Sequence, residues 1–142
     1  MTSICQLTAG EGRYQMHCFV TITGEGVQIY LGGGERPHIG TIVVAQPRLS
    51  LTGDGRPACT TSVFNLLGHK DDIIAIPLAE EICKLLLQIV VVTAGVHVDK
   101  AGPDDITALR EGGREILVRL REYFTRVAVP DGSSPTATCS RQ

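Results

Sequence analysis

The sequence predicts an α+β fold in which a mostly antiparallel sheet, with elements in the order ββββαβα, is covered on one face by two helices. Short apolar runs bounded by turn residues fill the first half of the chain. After Gly68 the apolar residues recur at helical spacing. Residues 89–98 are apolar on both faces, which is typical of the covered centre of a sheet. Strands followed by helices favour an α+β sandwich.

The strands of the first half are predicted at residues 14–22, 27–31, 39–46 and 59–67. Residues 23–26 (TGEG) supply the turn chemistry for a hairpin between the first two. Residues 32–34 (GGG) are expected to break the ladder, because three glycines cannot pack a pleated face. Residues 47–57 are predicted to form a hairpin connection with an Asp-Gly turn. Residues 1–13 are polar and are expected to form an edge strand or to be loosely held.

Two helices flank the apolar strand in the second half. Residues 71–72 (DD) suit a helix start, since their carboxylates can accept from unpaired amides and complement the helix dipole. Pro77 requires that the regular helix begins close to it or that the first turn is irregular, because an interior proline costs about 3 kcal/mol. The second helix begins at residues 102–105 (GPDD). Residues 112–113 (GG) interrupt its apolar stripe, which indicates a kink or a close crossing over the sheet.

The chain length of 142 residues suits one domain. We expect this domain to span residues 1–126. Residues 127–142 are expected to form a disordered tail, because the stretch 130–142 (PDGSSPTATCSRQ) has too little apolar content to pack.

The composition argues against several classes of partner. A net charge of -2 provides no basic face for nucleic acid, and an aromatic content of 4% without tryptophan provides no base-stacking platform. No apolar run reaches the roughly 18–20 residues that span a bilayer. The start has neither a basic nor an apolar signal region, and the five cysteines lie far apart without a C-x-x-C pair. We therefore expect a cytoplasmic protein with reduced thiols and no nucleic-acid or membrane partner.

Three polar clusters with a histidine follow extended apolar runs. The first is residues 32–40 (GGGERPHIG), where glycines expose backbone amides, Arg36 offers a planar fork for an anion and Pro37 holds His38 in an extended approach. A glycine-rich hairpin bend explains the same residues equally well. We expect the three clusters to meet in the fold.

The other two clusters lie around the central strand and its preceding helix. Residues 68–72 (GHKDD) stand at a strand-to-helix junction, where helix amides and Lys70 favour a phosphate or carboxylate; simple capping by the aspartates is the alternative. In residues 95–99 (GVHVD), Asp99 can fix the tautomer of His97 through a hydrogen bond. A satisfied structural histidine is the alternative there.

Catalytic interpretations of these residues find less support. His38, His69 and His97, with Asp99, form a plausible ligand set for zinc, but none has the short spacing of a metal motif. No nucleophile-elbow pattern surrounds Ser62. A metal-dependent hydrolase or lyase that uses the three histidines therefore stays open as a rival, and no complete catalytic set is assigned.

Four motifs in this order resemble the LpdD-like family: residues 37–40 (PHIG), 61–63 (TSV), 68–72 (GHKDD) and 95–99 (GVHVD). These small proteins accompany flavin prenyltransferases of the UbiX type and UbiD-like decarboxylases of hydroxyaromatic acids. The resemblance implies a non-catalytic chaperone that binds prenylated FMN as cargo and supports activation of a UbiD-like decarboxylase. It also implies a fold similar to that of small proteasome-assembly chaperones.

The predicted cofactor-binding residues combine the resemblance with the chemistry of the side chains, from which Arg36 or Lys70 is expected to meet the cofactor phosphate. They are Gly33, Gly34, Arg36, His38, Gly40, Ser62, His69, Lys70, His97 and Asp99. The expected partners are the decarboxylase and the flavin prenyltransferase pathway, and a homo-oligomer is compatible with both. A protein-assembly chaperone without a small ligand is a third interpretation.

Overall fold

A computed structural model describes residues 2–66, 68 and 70–128 of the chain. A short 3-10 turn, Gly12–Tyr14, separates the first two strands. The regular elements are β1 (Ser3–Ala9), β2 (Met16–Ile22), β3 (Gly26–Gly34), β4 (Thr41–Leu49), β5 (Pro57–Asn65), α1 (Asp72–Leu86), β6 (Ile89–His97) and α2 (Pro103–Ala128).

The strands form one six-stranded sheet in the order β1-β2-β3-β6-β4-β5. All neighbouring strands are antiparallel except β3 and β6, which are parallel. β6 therefore lies between β3 and β4, two strands that are consecutive in sequence. This confirms the predicted α+β fold. β6 has a strand on each side and helices over one face, where Val90, Val92 and Ala94 are buried, whereas Ile89, Val91 and Thr93 lie on the other face.

Both helices pack on the same face of the sheet. Strand residues that point toward them are buried, among them Val20, Ile29, Val43 and Val92. Over the opposite face the described residues form no helical layer, and large apolar side chains there are exposed, with Phe19 at 43% and Phe64 at 64%. The core is thus a single layer between the sheet and the two helices.

The first half of the chain contains an edge strand and a hairpin that can be compared with the prediction. Residues 1–13 contain β1, which pairs with β2 at the edge of the sheet, so the edge-strand alternative is confirmed and five strands precede α1. The hairpin between β4 and β5 is shorter than predicted. β4 continues through Pro47 to Leu49, and β5 begins at Pro57. The turn is therefore confined to residues 50–56.

The prediction that residues 32–34 break the ladder is wrong, because β3 continues to Gly34. The glycines serve close backbone approach instead. A Cβ at Gly33 would collide with the carbonyl oxygen of Gln15, and a Cβ at Gly34 would collide with that of His97. Gly34 also has a φ of 71°, which favours glycine. The absence of side chains lets β3 run tightly beside its neighbours.

Pro77 and the glycine pair at residues 112–113 both lie inside helices. α1 begins at Asp72, five residues before Pro77, so the proline lies inside a regular helix rather than at its start. In α2 the glycine pair permits a close crossing, as predicted. A Cβ at Gly112 would lie 3.1 Å from Met16 Sδ, and one at Gly113 would collide with Ile74 of α1. α2 extends through Ala128, and the rest of the predicted tail lies outside the described residues.

Candidate functional site

The carboxyl end of β6 is the point at which the predicted clusters meet, and two of them are joined there by backbone hydrogen bonds. The segment 35–40 leaves β3, crosses the end of β6 and enters β4. The backbone nitrogen of Glu35 donates to the carbonyl oxygen of His97 at 2.7 Å, and that of Gly40 donates to Ala94 at 2.8 Å. These bonds bring the cluster at residues 32–40 against the cluster at residues 95–99.

Gly95 is a point of close backbone approach between these clusters. A Cβ at this position would collide with the carbonyl group of His38. That carbonyl is held in place because Tyr30 Oη donates to it at 3.1 Å and the backbone nitrogen of His38 donates to Gly95 at 3.2 Å. The crossing segment can lie this close only because residue 95 has no side chain.

We therefore expect Gly95→Ala to lower the free energy of unfolding by about 1–3 kcal/mol, the usual cost of overpacking. Urea denaturation measures this change. Gly24→Ala is the matched control, because no atom lies within 4 Å of its Cβ position. Its effect should stay within about 0.5 kcal/mol. Equal stability of the two variants would show that the segment crosses β6 elsewhere.

His97, Asp99 and Arg36 form an exposed polar cluster at the end of β6. Arg36 Nη2 lies 2.5 Å from Asp99 Oδ1 and 2.8 Å from His97 Nε2, which in turn lies 3.0 Å from Asp99 Oδ1. The ring accepts from Arg36 or donates to Asp99, according to its tautomer. Asp99 therefore contacts His97, as predicted, and Arg36 contacts both.

The charge of Asp99 is stabilised by this cluster. The hydrogen bond with His97, followed by the one from Arg36, holds the pKa of Asp99 below its usual value. Because the folded-state pKa is lowered, the stabilisation is present above the ordinary pKa of an aspartate and is lost as the pH falls through the lowered one. The cluster thus remains intact at neutral pH.

His38 is held by a second carboxylate, Asp71. His38 Nδ1 lies 3.0 Å from the carbonyl oxygen of Arg36, and its Nε2 lies 3.2 Å from Asp71 Oδ2. The His38 and His97 rings meet edge to face with their centroids 6.3 Å apart. The two histidines therefore belong to one connected group of polar side chains.

Asp71 is the functional candidate that sequence reasoning missed. It was assigned to capping, but its side chain makes no cap bond. It is 7% exposed, and its Oδ1 accepts from the backbone nitrogen of Val96 at 2.9 Å. The pairing between β4 and β6 ends at Ala94. Asp71 therefore supplies the hydrogen-bond acceptor for the backbone nitrogen of Val96, which β4 does not provide. An aspartate directly before a helix is the only sequence signal, and it equally indicates a cap.

A cavity of about 400 Å³ lies beside this group, between the end of β6 and the first turns of α1 and α2. Its buried floor is apolar and includes Val96, Val98 and Leu109. Asp71 and His97 are also part of the lining. The cavity therefore adjoins both histidine–carboxylate pairs. Asp71 belongs to the pair with His38, and His97 belongs to the pair with Asp99.

Three exposed cations line the same cavity: Lys70, Lys100 and Arg110. Within the described part of the chain none of them has an ion-pair partner. Asp71 is the one carboxylate in the lining, and it already faces His38. An apolar floor with unpaired cations above it suits a ligand that carries an anionic group on an apolar body.

Five of the predicted site residues lie at or beside the cavity. Lys70 and His97 line it, while Arg36, His38 and Asp99 lie beside it in the polar group. Of the predicted glycines, Gly34 lies against His97, Gly40 donates to Ala94, and Gly33 lies against Gln15. Arg36 is engaged by Asp99 and His97, whereas Lys70 has no ion pair within the described residues.

Ser62 and His69 are not part of this arrangement. Ser62 lies on β5 opposite Val44, on the sheet face away from the helices. His69 lies outside the described residues, so the ligand set of three histidines has no placed third member. Among the residues that the structure describes, no group of three or more histidine, cysteine, aspartate or glutamate side chains could hold a metal ion.

The fold defines the chain as a small α+β protein with one six-stranded sheet and two helices. It is similar to a chain in the structure described as "Crystal Structure of a Novel Chaperone Complex for Yeast 20S Proteasome Assembly", with a TM-score of 0.55 and 15% identity over 88% of this chain and 96% of that one. At this identity the similarity concerns the fold alone. A comparison with curated protein sequences gave no match.

The family follows from the sequence profile. The prenylated flavin chaperone LpdD-like domain matches residues 10–125, and the chain therefore belongs to that family. The match includes both clusters that meet at the end of β6, together with Lys70, Asp71 and Arg110. The predicted family is confirmed.

Proposed function

We propose that this protein is a non-catalytic chaperone that binds prenylated FMN as cargo and supports activation of a UbiD-like decarboxylase. The observation that carries the proposal is the cavity of about 400 Å³ with an apolar floor and three cations in its lining. Its volume lies within the range of about 300–1,000 Å³ that is usual for small-molecule sites. Membership of the prenylated flavin chaperone family supports the same ligand.

The chemistry of the lining fits the two parts of this ligand. Prenylated FMN joins a phosphate to a large ring system with an added hydrocarbon ring. The phosphate would be held by Lys70, Lys100 and Arg110, since charge-assisted hydrogen bonds from cations are the strongest that a protein makes to such a group. The ring system would lie on Val96, Val98 and Leu109, where burial of apolar surface contributes about 25 cal/mol per Å².

The polar group at the end of β6 would hold the cavity in shape rather than perform chemistry. His38 and His97 each face a carboxylate, and Asp71 links His38 to β6. A chaperone of this kind needs only to bind and release its cargo. In the rival hydrolase or lyase, His38, His69 and His97 would hold a metal. Stoichiometric zinc, manganese or iron in the purified protein would support that rival.

The proposal also covers the setting in which the protein acts. The flavin prenyltransferase pathway would supply the cargo in the cytoplasm, and the decarboxylase would receive it. No helix in the described part of the chain is long and apolar enough to cross a bilayer. A homo-oligomer would be formed by a second copy on the uncovered sheet face, where Phe19 stacks on Tyr30 and Phe64 is exposed. Light-scattering mass measurement tests this point.

Reconstitution tests the proposed activity. Apo-decarboxylase of the UbiD-like type is mixed with reduced prenylated FMN, with and without this protein, and the decarboxylation rate is followed. We expect a larger active fraction when the protein is present and no decarboxylation by the protein alone. The same yield in both mixtures would contradict the chaperone role.

We expect His97→Ala to leave the fold intact at a cost on the order of 1 kcal/mol, while affinity for prenylated FMN falls about tenfold. The reason is that His97 lines the cavity and joins Arg36 to Asp99. Flavin fluorescence measures the affinity and thermal denaturation measures the stability. His17→Ala is the control, since His17 lies on β2 and does not line the cavity. Loss of stability with unchanged affinity would assign His97 a structural role.

A further inference from the structure

A groove between α1 and α2 continues the ligand cavity along the helical face. Its volume is about 270 Å³, and it shares Ile73, Ile74 and Arg110 with the ligand cavity. Beyond these shared residues its apolar lining is formed by the buried Leu78 and by Pro77 and Leu117 nearer the surface. The two depressions therefore form one trough, of which the groove is the part farther from β6.

Two arginines give this groove its charge. Arg110 and Arg114 both line it, and no acidic residue in the described part of the chain does. They lie four residues apart on α2, so their side chains project from the same face of the helix. Neither has an ion-pair partner within the described residues.

Two other arginines of the same helix have a carboxylate nearby. Arg119 lies 3.8 Å from Glu115, and Arg121 lies 3.7 Å from Glu81 of α1. The pair inside the groove has no such carboxylate among the described residues. Two unpaired guanidinium groups above an apolar floor match carboxylates that come from another molecule.

We propose that this groove docks an acidic, amphipathic segment of the protein that receives the cargo. The segment would place a carboxylate on Arg114, next to the Arg110 guanidinium that faces the cargo, and apolar side chains on Pro77 and Leu117. Because the groove shares Ile73, Ile74 and Arg110 with the ligand cavity, docking would bring the recipient next to the bound cargo. That the recipient is the apo-decarboxylase rests on the proposed function.

Charge reversal at Arg114 tests the docking surface, because Arg114 lines the groove but not the ligand cavity. The probes are a UbiD-like apo-decarboxylase and, separately, reduced prenylated FMN. We expect Arg114→Glu to weaken binding of the apo-decarboxylase at least about tenfold and to change affinity for prenylated FMN less than twofold. Arg126→Glu is the matched control on the same helix and should change neither affinity.

Unchanged affinity of Arg114→Glu for the apo-decarboxylase would overturn the proposal. If prenylated FMN fails to bind the wild-type protein while Arg114→Glu still weakens docking, the proposed cargo is wrong and the docking surface stands. A photocrosslinking amino acid at Leu117 identifies the occupant of the groove. Crosslinks to the apo-decarboxylase support the proposal. Crosslinks to residues 129–142 of the same chain or to a second copy overturn it.

Discussion

Replacement of Asp71 by alanine is expected to lower the free energy of unfolding by about 2–3 kcal/mol. The change leaves the buried backbone nitrogen of Val96 without an acceptor and removes the carboxylate that faces His38. An unsatisfied buried donor costs about 1–3 kcal/mol, and bonds to charged groups lie at the upper end of that range. Chemical denaturation measures the difference, and weaker binding of prenylated FMN should accompany it because Asp71 lines the cavity.

Two further variants separate the causes of this loss. Asp71→Asn retains an oxygen that can accept from Val96 and should recover part of the stability. Asp72→Ala is the neighbouring control, because Asp72 makes only an exposed contact, accepting from Asn65 Nδ2 at 3.1 Å. Its effect should stay below about 1 kcal/mol. Equal losses in Asp71→Ala and Asp72→Ala would show that Asp71 is an ordinary cap.

The second large effect concerns the cations in the lining of the cavity. We expect the double substitution Lys70→Ala and Lys100→Ala to weaken binding of prenylated FMN about 100-fold, with little change in stability. Each charge-assisted bond to a phosphate is worth about 1.5–3 kcal/mol, and 1.4 kcal/mol corresponds to tenfold in affinity. Flavin fluorescence titration measures the change.

The matched control removes two cations elsewhere. Arg48 and Arg56 lie at the β4–β5 hairpin, far along the sheet from the end of β6. The double substitution Arg48→Ala and Arg56→Ala should leave the affinity within about twofold, because charges separated by more than a Debye length of about 8–10 Å are screened. Equal losses in the two double variants would indicate a general charge effect rather than a phosphate site.

The sequence predicts which helices and strands form better than it predicts which strands pair with each other in the sheet. The apolar pattern of residues 89–98 identifies a covered strand, and the helical spacing after Gly68 identifies α1. The insertion of β6 between β3 and β4 could not be predicted, because strand pairing depends on contacts between residues far apart in sequence. The glycines of residues 32–34 were misread for the same reason, since the backbone that crowds them belongs to other strands.

The candidate site was likewise predicted in part from the sequence. All three clusters are expected to meet. The structure places the rings of His38 and His97 6.3 Å apart, and Asp71 of the third cluster contacts both His38 and Val96. Lys100 and Arg110 were missed because each looks like an ordinary solvated cation in the sequence, and only the position of the first turns of α2 near the end of β6 brings them to one cavity. Asp71 was missed because a helix cap and a buried acceptor for Val96 have the same local pattern.

Titration of the purified protein with reduced prenylated FMN measures binding of the proposed cargo itself. We predict saturable binding of one molecule per chain with a Kd in the micromolar range or tighter, about -8 kcal/mol at 1 μM. The same flavin without its phosphate should bind at least about tenfold more weakly, because Lys70, Lys100 and Arg110 would lose their partner. Absence of saturable binding at high micromolar concentrations of prenylated FMN would contradict the account.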